Sequence, residues 1–471
     1  MTHLGVTGFL ILLTGAVGGI VVLRAVLQRI ADRVLQTLIV TGLLAKLAGG
    51  VARFTVMSDL YGGTGDFNRY FRQGTQIAGQ IRSGSLPDQA RETGTPFMDF
   101  IAGVVYTVVP HRLWIGFLVF ALLSFTGALL FLQAFRLAVP DGNHRLYAGL
   151  VFFMPTMVFW PSSIGKEAWL VFALGVAAYG AARALRRARF GYVIAATGGA
   201  AVFLVRPHMG ALFALAFAGA FVLRFRDPTV RNTAPTWLLG LVVIGLGAGY
   251  AAVNFGEELP RVRGAEEATF EAVTQETIRR TSTGGSEFDS RPVRNPADFL
   301  HAAITVPFRP FPTEGHNRQA QLAGLEGVLL LGLIFLSLPR LITLPRAVLR
   351  QPYVAMATAY TIGFIIAFSN VANFGILTRQ RAQLLPFLFV LLAYNWARRR
   401  DDAGPLLVPA SSEQPEQAQA SERATTLTGS SSDDLSTDGG TPHGPPFELV
   451  VDLPHGVVRD TQPPENSKRP T

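Results

Sequence analysis

The chain has 471 residues, of which 49% are hydrophobic and only 15% are charged, and its formal net charge is +9. Soluble domains carry about 25% charged residues, so this composition excludes an ordinary soluble protein and indicates an all-α, polytopic membrane protein. The sequence has no cysteine, which excludes disulfides, thiolate catalysis and cysteine-based metal sites.

Arginine-rich connections predict the topology of the chain. Such connections follow the apolar segments at 24–33, 136–145, 183–190, 224–231, 339–350 and 397–400. Because basic connections stay on the cytoplasmic side, we predict that the N-terminus lies outside and that the C-terminus lies inside. This register requires the short apolar stretch 97–109, bracketed by Pro96 and Pro110, to be an interfacial or re-entrant helix rather than a span.

The remaining apolar segments predict about eleven transmembrane helices within a domain of residues 1–400. The predicted spans are 4–23, 34–56, 114–135, 147–160, 167–183, 191–205, 211–224, 236–254, 325–338, 353–372 and 381–397. Two large extracytoplasmic loops follow from them, at 57–113 and 255–324, and the first is expected to carry interfacial helices. Residues 266–280 of the second loop have the composition of a helix.

The chain changes character at Asp401. Residues 401–471 carry 12 acidic and 4 basic side chains, against 20 acidic and 37 basic side chains in residues 1–400. The polar composition of 401–471 predicts a disordered cytoplasmic tail. The basic body suits an anionic membrane surface and an anionic substrate, although basic cytoplasmic loops alone explain much of it. Its scattered cations argue against nucleic acid as a partner.

The stretch from Ser58 to Gly74 opens the first outer loop and holds two carboxylates, Asp59 and Asp66. A carboxylate near a partly desolvated interface can act as a general base, or it can hold a divalent cation. The alternative is that Asp59 ends one helix and Asp66 caps the next, because aspartate is a favoured N-cap residue.

Lys166 and Glu167 follow a break in the helical pattern at 161–165. A lysine at a helix N-terminus opposes the helix dipole unless an anion binds there, in which case backbone N–H groups and the ammonium can share a phosphate. The alternative is a snorkelling lysine that pairs with Glu167.

Other charged side chains are predicted on the same outer side. Arginine there runs against the cytoplasmic bias and points to function. Arg379 and Arg381, two residues apart, are expected on different faces of their helix. The further candidates are Arg206, His208, Arg309, Glu314 and His316. These residues show no specific metal-ligand spacing, and the sequence has no phosphate-binding or dinucleotide fingerprint.

A span followed by an acidic outer loop (SDLYGGTGDFNRYF), interfacial helices, many further spans and a large later loop resemble the GT-C superfamily of membrane glycosyltransferases. The elements GKEAW, RPFPTE and NFGILTRQR are also similar to stretches of bacterial envelope-polysaccharide proteins, including Wzy-type polymerases. The resemblance implies that Asp59 or Asp66 is the base that deprotonates the acceptor hydroxyl and that the cations bind the donor phosphate. The chain departs from the glycosyltransferase pattern in its extra first span and in the six residues between its carboxylates.

We therefore expect a membrane glycosyltransferase of envelope glycan assembly in the bacterial cytoplasmic membrane. Its partners would be a polyprenyl-phosphate-linked sugar, a glycan acceptor, the bilayer and other envelope-assembly proteins, with a divalent cation as one option for a cofactor. Asp66, with Asp59 second, is the expected catalytic residue. The expected phosphate ligands are Lys166, Arg206, Arg309, Arg379 and Arg381, supported by Glu167, His208, Glu314 and His316. The alternatives are a Wzy-like polymerase and a transporter or flippase of an anionic lipid or solute.

Overall fold

A computed structural model describes residues 6–60, 62–63, 65–224, 278–279, 287–314 and 318–395. These residues are mostly helical and contain no strand beyond an isolated bridge between Glu287 and Asn373, which confirms the all-α class for the described part of the chain. The predicted span 236–254, most of the loop helix 266–280 and the tail from Asp401 lie outside the described residues.

Sixteen α-helices, numbered in chain order, make up the described residues apart from short turns and connections. They are α1 (Val6–Gln28), α2 (Arg33–Thr55), α3 (Asp66–Arg82), α4 (Thr95–Val108), α5 (Leu113–Ala138), α6 (His144–Phe153), α7 (Pro155–Phe159), α8 (Lys166–Leu185), α9 (Gly191–Val205), α10 (Pro207–Arg224), α11 (Pro296–Phe308), α12 (Arg318–Leu336), α13 (Leu338–Ile342), α14 (Leu344–Arg350), α15 (Pro352–Phe368) and α16 (Phe374–Ala393).

Four helices in the described part of the chain are long and apolar enough to cross a membrane. They are α2 extended by a π-helical turn to Asp59, then α5, α8 and α16. Shorter apolar helices of 10–17 residues occur among the others, including α4, α9 and α15. The composition thus correctly predicted apolar helices of spanning length.

The predicted continuous span 147–160 is wrong in detail, because the helix breaks at Met154. Met154 has an extended backbone with ψ of 128° and is followed by Pro155. Proline lacks an N–H and disfavours helical geometry in the residue before it. This segment therefore consists of α6, the short α7 and the irregular residues 160–165.

The ends of the helices lie together at two opposite ends of the bundle. We name the first of these the Asp32 end. Here Arg145, just inside α6, forms an ion pair of 2.7 Å with Asp32, which caps α2. The backbone N–H of Asn143 donates to the carbonyl of Ala393 at the last residue of α16, at 2.7 Å. The starts of α2 and α6 and the end of α16 thus lie together.

The second group is named the Lys166 end. The indole of Trp169, in the first turn of α8, donates to the carbonyl of Ala201 near the end of α9 at 2.9 Å. The backbone N–H of Gly94, just before α4, donates to the carbonyl of Leu204 at 2.8 Å. The start of α8, the end of α9 and the α3–α4 pair therefore meet at this end.

Glycines allow the central helices to approach closely. A Cβ added to Gly127 of α5 would lie 2.4 Å from the carbonyl oxygen of Val171, and one added to Gly175 of α8 would lie 2.4 Å from that of Gly127. Small residues at such crossings let helix backbones pack directly. The α5–α8 contact fixes where Lys166, at the start of α8, stands relative to the bundle.

The described end of the second large loop, residues 287–314, docks on the turn between α15 and α16. The backbone N–H of Phe288 donates to the carbonyl of Ala372 at 3.1 Å, and its ring stacks on that of Phe374 at a centroid distance of 4.6 Å. The hydroxyl of Ser369 accepts from the N–H of Val293 at 3.2 Å. The loop is therefore attached to the turn that leads into α16.

Candidate functional site

The candidate site is a group of charged side chains at the Lys166 end. Lys166 is the first residue of α8, and its Nζ donates to the hydroxyl of Thr95, the first residue of α4, at 2.8 Å. Gly165 precedes it, and an added Cβ there would lie 3.3 Å from Oε2 of Glu167 and 3.9 Å from the ring of Tyr70. Two helix starts and the α3 helix thus converge on Lys166.

Arg206 reaches the same place from the turn between α9 and α10. Its Nη2 lies 3.6 Å from Oε1 of Glu167, and the two side chains are only 14% and 16% exposed. Burial lowers the pKa of the Arg206 guanidinium, and Glu167 opposes that shift. Arg206 therefore remains a cation, held in a largely desolvated position by one carboxylate.

Arg379 approaches from the second turn of α16. Its Nη1 lies 3.9 Å from Oδ2 of Asp66, the first residue of α3. The Asp66 side chain is 76% exposed, and Gly65 caps α3 without a side-chain hydrogen bond. Asp66 itself lies in the first turn of the helix, where a carboxylate is favourable, so it is not the N-cap residue.

The α3–α4 pair adds charged groups that the sequence pattern does not single out. Nη2 of Arg69 lies 3.1 Å from Oδ2 of Asp99, whose side chain is only 4% exposed. The other oxygen of Asp99, Oδ1, is buried and has no hydrogen-bond partner among the described residues. Burial raises the pKa of the Asp99 carboxyl, while Arg69 and Lys166 lower it. An aspartate inside an otherwise apolar stretch was the available signal.

Tyr70 lies between these charges on the buried face of α3. Burial raises the pKa of its phenol, and the carboxylates of Asp66, Glu167 and Asp99 raise it further. The phenol therefore stays protonated at neutral pH. It can donate a hydrogen bond within the cluster.

Three predicted site residues form a separate group. The Arg309 guanidinium pairs with Glu314 at 3.1 Å and covers the ring of Phe288 at 4.8 Å. Arg381 is fully buried, and its Nη2 donates to the backbone carbonyl of Arg309. Arg309 and Arg381 thus hold the docked loop on α16 and do not pair with the carboxylates of the Lys166 cluster. Arg379 contacts Asp66 and Arg381 contacts the carbonyl of Arg309, so the two arginines point in different directions.

The remaining predicted residues are not drawn into the cluster by direct contacts. Asp59 is exposed and accepts a hydrogen bond from the hydroxyl of Ser58 at 2.6 Å. The ring of His208 lies 6.3 Å from that of Phe368. His316 lies outside the described residues.

A further charged cluster lies inside the bundle. Glu326 of α12 is buried and accepts from both the N–H and the hydroxyl of Thr156. Nζ of Lys46 in α2 donates to the carbonyl of Met157 at 2.5 Å. Backbone groups of the broken α6–α7 segment, at Thr156 and Met157, are therefore bonded by charged side chains of neighbouring helices.

In the described residues, no group of three or more His, Asp or Glu side chains is arranged to hold a metal ion. Each of the three carboxylates of the candidate site, Asp66, Asp99 and Glu167, instead forms an ion pair with an arginine. No protein-family model, curated protein or solved structure matches this chain significantly. The chemistry of the site is therefore argued from its own residues.

Proposed function

We propose that the protein is a membrane glycosyltransferase that binds the phosphate of a polyprenyl-phosphate-linked sugar at the Lys166 end and transfers the sugar to a glycan acceptor. The observation that carries the proposal is the meeting of Lys166, Arg206 and Arg379 from three separate parts of the chain. Such convergence of cations is costly unless an anion is bound between them.

Charge matching supports one added phosphate in this cluster. Arg206 faces Glu167, Arg379 faces Asp66, and Arg69 faces Asp99. Lys166 differs, because its hydrogen-bond acceptor is the neutral hydroxyl of Thr95. Together these side chains carry four cations against three carboxylates, and the surplus charge suits a phosphodiester.

The residues take simple roles in this proposal. Lys166, with Arg206 or Arg379, binds the donor phosphate and stabilises the charge that develops on it as the sugar leaves. A carboxylate of the cluster accepts the proton of the acceptor hydroxyl; from the sequence alone this is Asp66, with Asp59 second. Arg309, Arg381 and Glu314 support the site by holding the docked loop.

In the proposed topology, about eleven spans place the Lys166 end at the outer face of a bacterial cytoplasmic membrane. The tail from Asp401 would then lie in the cytoplasm. This topology is supported by the connections 24–33 and 136–145, which are both predicted to be cytoplasmic. They meet at the opposite end of the bundle, where Arg145 pairs with Asp32. The α3–α4 pair would lie at the membrane surface, where a lipid-linked donor can enter between helices.

The test is glycan analysis of the cell envelope in a deletion strain complemented with wild type, Lys166→Met or Arg72→Gln. Arg72 is the matched control, since it is an exposed cation of α3, which lies at the same end of the bundle. We expect wild type and Arg72→Gln to restore a missing or shortened glycan and Lys166→Met to fail at equal protein abundance. A deletion that changes no glycan and no lipid-linked intermediate would remove the proposal.

Transport of an anionic lipid or solute is the second candidate. The observation that favours it is the broken α6–α7 crossing beside buried Lys46, Glu326 and Arg381, since broken helices and interior charges mark transport sites. If Glu326→Gln abolishes the accumulation of an anion and leaves the envelope glycans intact, that result would favour transport. A Wzy-like polymerase, in which arginines dominate, would instead lose its product on replacement of Arg379 and keep it when both Asp59 and Asp66 become asparagine.

A further inference from the structure

We infer that Asp99, rather than Asp66 or Asp59, is the carboxylate that accepts the proton of the acceptor hydroxyl. The inference rests on the proposed sugar transfer and names a catalytic residue for it. Three observations carry it: the burial of Asp99, the hydrogen bonding of its two oxygens, and its position beside Lys166.

Burial distinguishes the three carboxylates. The Asp99 side chain is 4% exposed, whereas that of Asp66 is 76% exposed and Asp59 is also exposed. A carboxylate in water is a weak base, since its ordinary pKa is about 3.9. A desolvated carboxylate holds a proton better, and this is the usual way in which a protein makes an aspartate or glutamate a useful base.

The two oxygens of Asp99 have different surroundings. Oδ2 is 3.1 Å from Nη2 of Arg69, which fixes the orientation of the carboxylate. Oδ1 is buried and has no hydrogen-bond partner among the described residues. A buried acceptor without a partner is costly and points to a group that donates to it, such as a hydroxyl.

The neighbouring charges are those that a sugar transfer needs. Thr95 and Asp99 lie four residues apart on α4, so their side chains share one helix face at about 5–6 Å between Cβ atoms. Thr95 holds Nζ of Lys166, and Asp99 holds Arg69. The base and the hydroxyl that holds the phosphate-binding Lys166 are thus set one helical turn apart on α4.

The groups that face Asp99 come from two other helices. They are Arg69 and Tyr70 of α3 and Lys166 of α8. Asp88 and Arg91, in the short 3₁₀ turn that packs on α4, are exposed. Arg69 is itself 56% exposed, so it holds Oδ2 of Asp99 from the solvent side of the cluster.

The chemical step balances with these groups. The acceptor hydroxyl gives its proton to Oδ1 of Asp99 while its oxygen forms a bond to the anomeric carbon of the sugar. The bond from that carbon to the donor phosphate oxygen breaks, and its electron pair stays on the phosphate, where Lys166 offsets the added charge. Asp99 then returns the proton to water.

The experiment uses isolated membranes, which contain their own lipid-linked donor. It measures, as a function of pH, the rate at which they form the glycan that the deletion strain lacks. The variants are Asp99→Asn, Asp99→Glu, Arg69→Gln, Asp66→Asn for the rival base, and the matched control Asp88→Asn at an exposed carboxylate of the same outer loop. Loss of a general base typically costs 10²–10⁴-fold in rate. We expect a loss of at least about 100-fold for Asp99→Asn, partial recovery for Asp99→Glu, a smaller loss for Asp66→Asn than for Asp99→Asn, and a change below about tenfold for Asp88→Asn.

Arg69→Gln separates a catalytic from a structural role. Arg69 lowers the pKa of Asp99, so its removal should move the acidic limb of the rate profile to higher pH. A purely structural Asp99 would leave that limb in place. Arg69→Gln also keeps the test decisive if Asp99→Asn does not accumulate in the membrane.

Two results would overturn the inference while the proposed function stands. One is an Asp99→Asn protein that makes the glycan at a rate within about tenfold of wild type, well short of the loss of a general base. The other is a loss of about 100-fold in Asp66→Asn with an acidic limb that Arg69→Gln does not move. If wild-type membranes form no glycan beyond those of the deletion strain, the proposed function itself fails.

Discussion

Glu326 accepts two hydrogen bonds from Thr156, one from its backbone N–H at 2.9 Å and one from its hydroxyl at 2.6 Å. Thr156 lies in the first turn of α7, directly after the break at Met154. The first N–H groups of a helix have no partner within it, and here a buried carboxylate from α12 provides one. The break between α6 and α7 is thus stabilised by a distant part of the chain.

Thr156→Val should lower the stability of the bundle. The variant keeps the size and shape of the side chain but removes the hydroxyl that donates to buried Glu326, which typically costs about 1–3 kcal/mol. Thermal unfolding of the purified protein in detergent would measure the change. Thr358→Val is the control, because the hydroxyl of Thr358 donates to the carbonyl of Val354 in its own helix. Equal melting temperatures for the two variants would contradict the prediction.

Glu167→Gln should destabilise the protein more than Asp66→Asn does. A neutral amide at position 167 would leave the guanidinium of Arg206, which is 14% exposed, without its opposite charge, at a cost of about 1–3 kcal/mol. The pair between Arg379 and Asp66 is longer and Asp66 is well exposed, so its loss should cost less than about 1 kcal/mol. Unfolding of both variants under one condition compares the two pairs directly.

Gly175→Ala should weaken the contact between α5 and α8. The new methyl group would meet the carbonyl oxygen of Gly127 at 2.4 Å, so the helices must separate, and overpacking of this kind costs about 1–3 kcal/mol. Gly149→Ala in α6 is the matched control, since an added Cβ there has nothing within 4 Å and helical alanine is favoured over glycine. The melting temperature should fall for the first variant and not for the second.

The ion pair between Asp32 and Arg145 should make stability depend on pH in the acidic range. The hydrogen bond from Arg145 is the main cause that lowers the pKa of Asp32. A carboxyl with a lowered folded-state pKa stabilises the protein above its unfolded pKa of about 3.9, and this contribution is lost as the pH falls through the folded value. Asp32→Asn keeps a good N-cap and removes the charge.

Melting temperatures of wild type and Asp32→Asn from neutral pH to about pH 3 check this expectation. The difference between the two proteins should be constant near neutral pH and should shrink below about pH 4. A difference that grows on acidification would contradict the assigned direction of the pKa shift.

Apolar length predicts the long helices well, because hydrophobic runs of about 20 residues have few other uses. The predicted segment 191–205 matches α9 to the residue, and the predictions for α2, α5 and α8 lie within three residues of either end. Pro155 is recognisable in the sequence as a helix breaker, but the apolar length of the segment 147–160 by itself predicts a continuous helix. The helix at Pro296–Phe308 was not predicted, although Asn295 and Pro296 form a recognisable start.

The candidate site is only partly predictable from the sequence. Lys166 and Arg206 stand out because cations in outer turns run against the cytoplasmic bias, and both belong to one cluster. Arg309 draws attention for the same reason, yet it serves a loop contact with Glu314. Asp99 interrupts an apolar stretch, but its place in the site was not predicted, since its contact with Arg69 depends on how α3 packs against α4, and a sequence pattern does not encode that packing.

The docked loop joins the turn before α16 through main-chain atoms at two points, at Glu287 with Asn373 and at Phe288 with Ala372. Such contacts place little demand on the identity of the side chains. Among homologues, these positions should therefore drift independently and leave no co-variation between them, whereas Arg309 and Glu314 should change together. Contact maps inferred from paired substitutions would then place this loop on α16 only through side-chain pairs such as the stacked rings of Phe288 and Phe374.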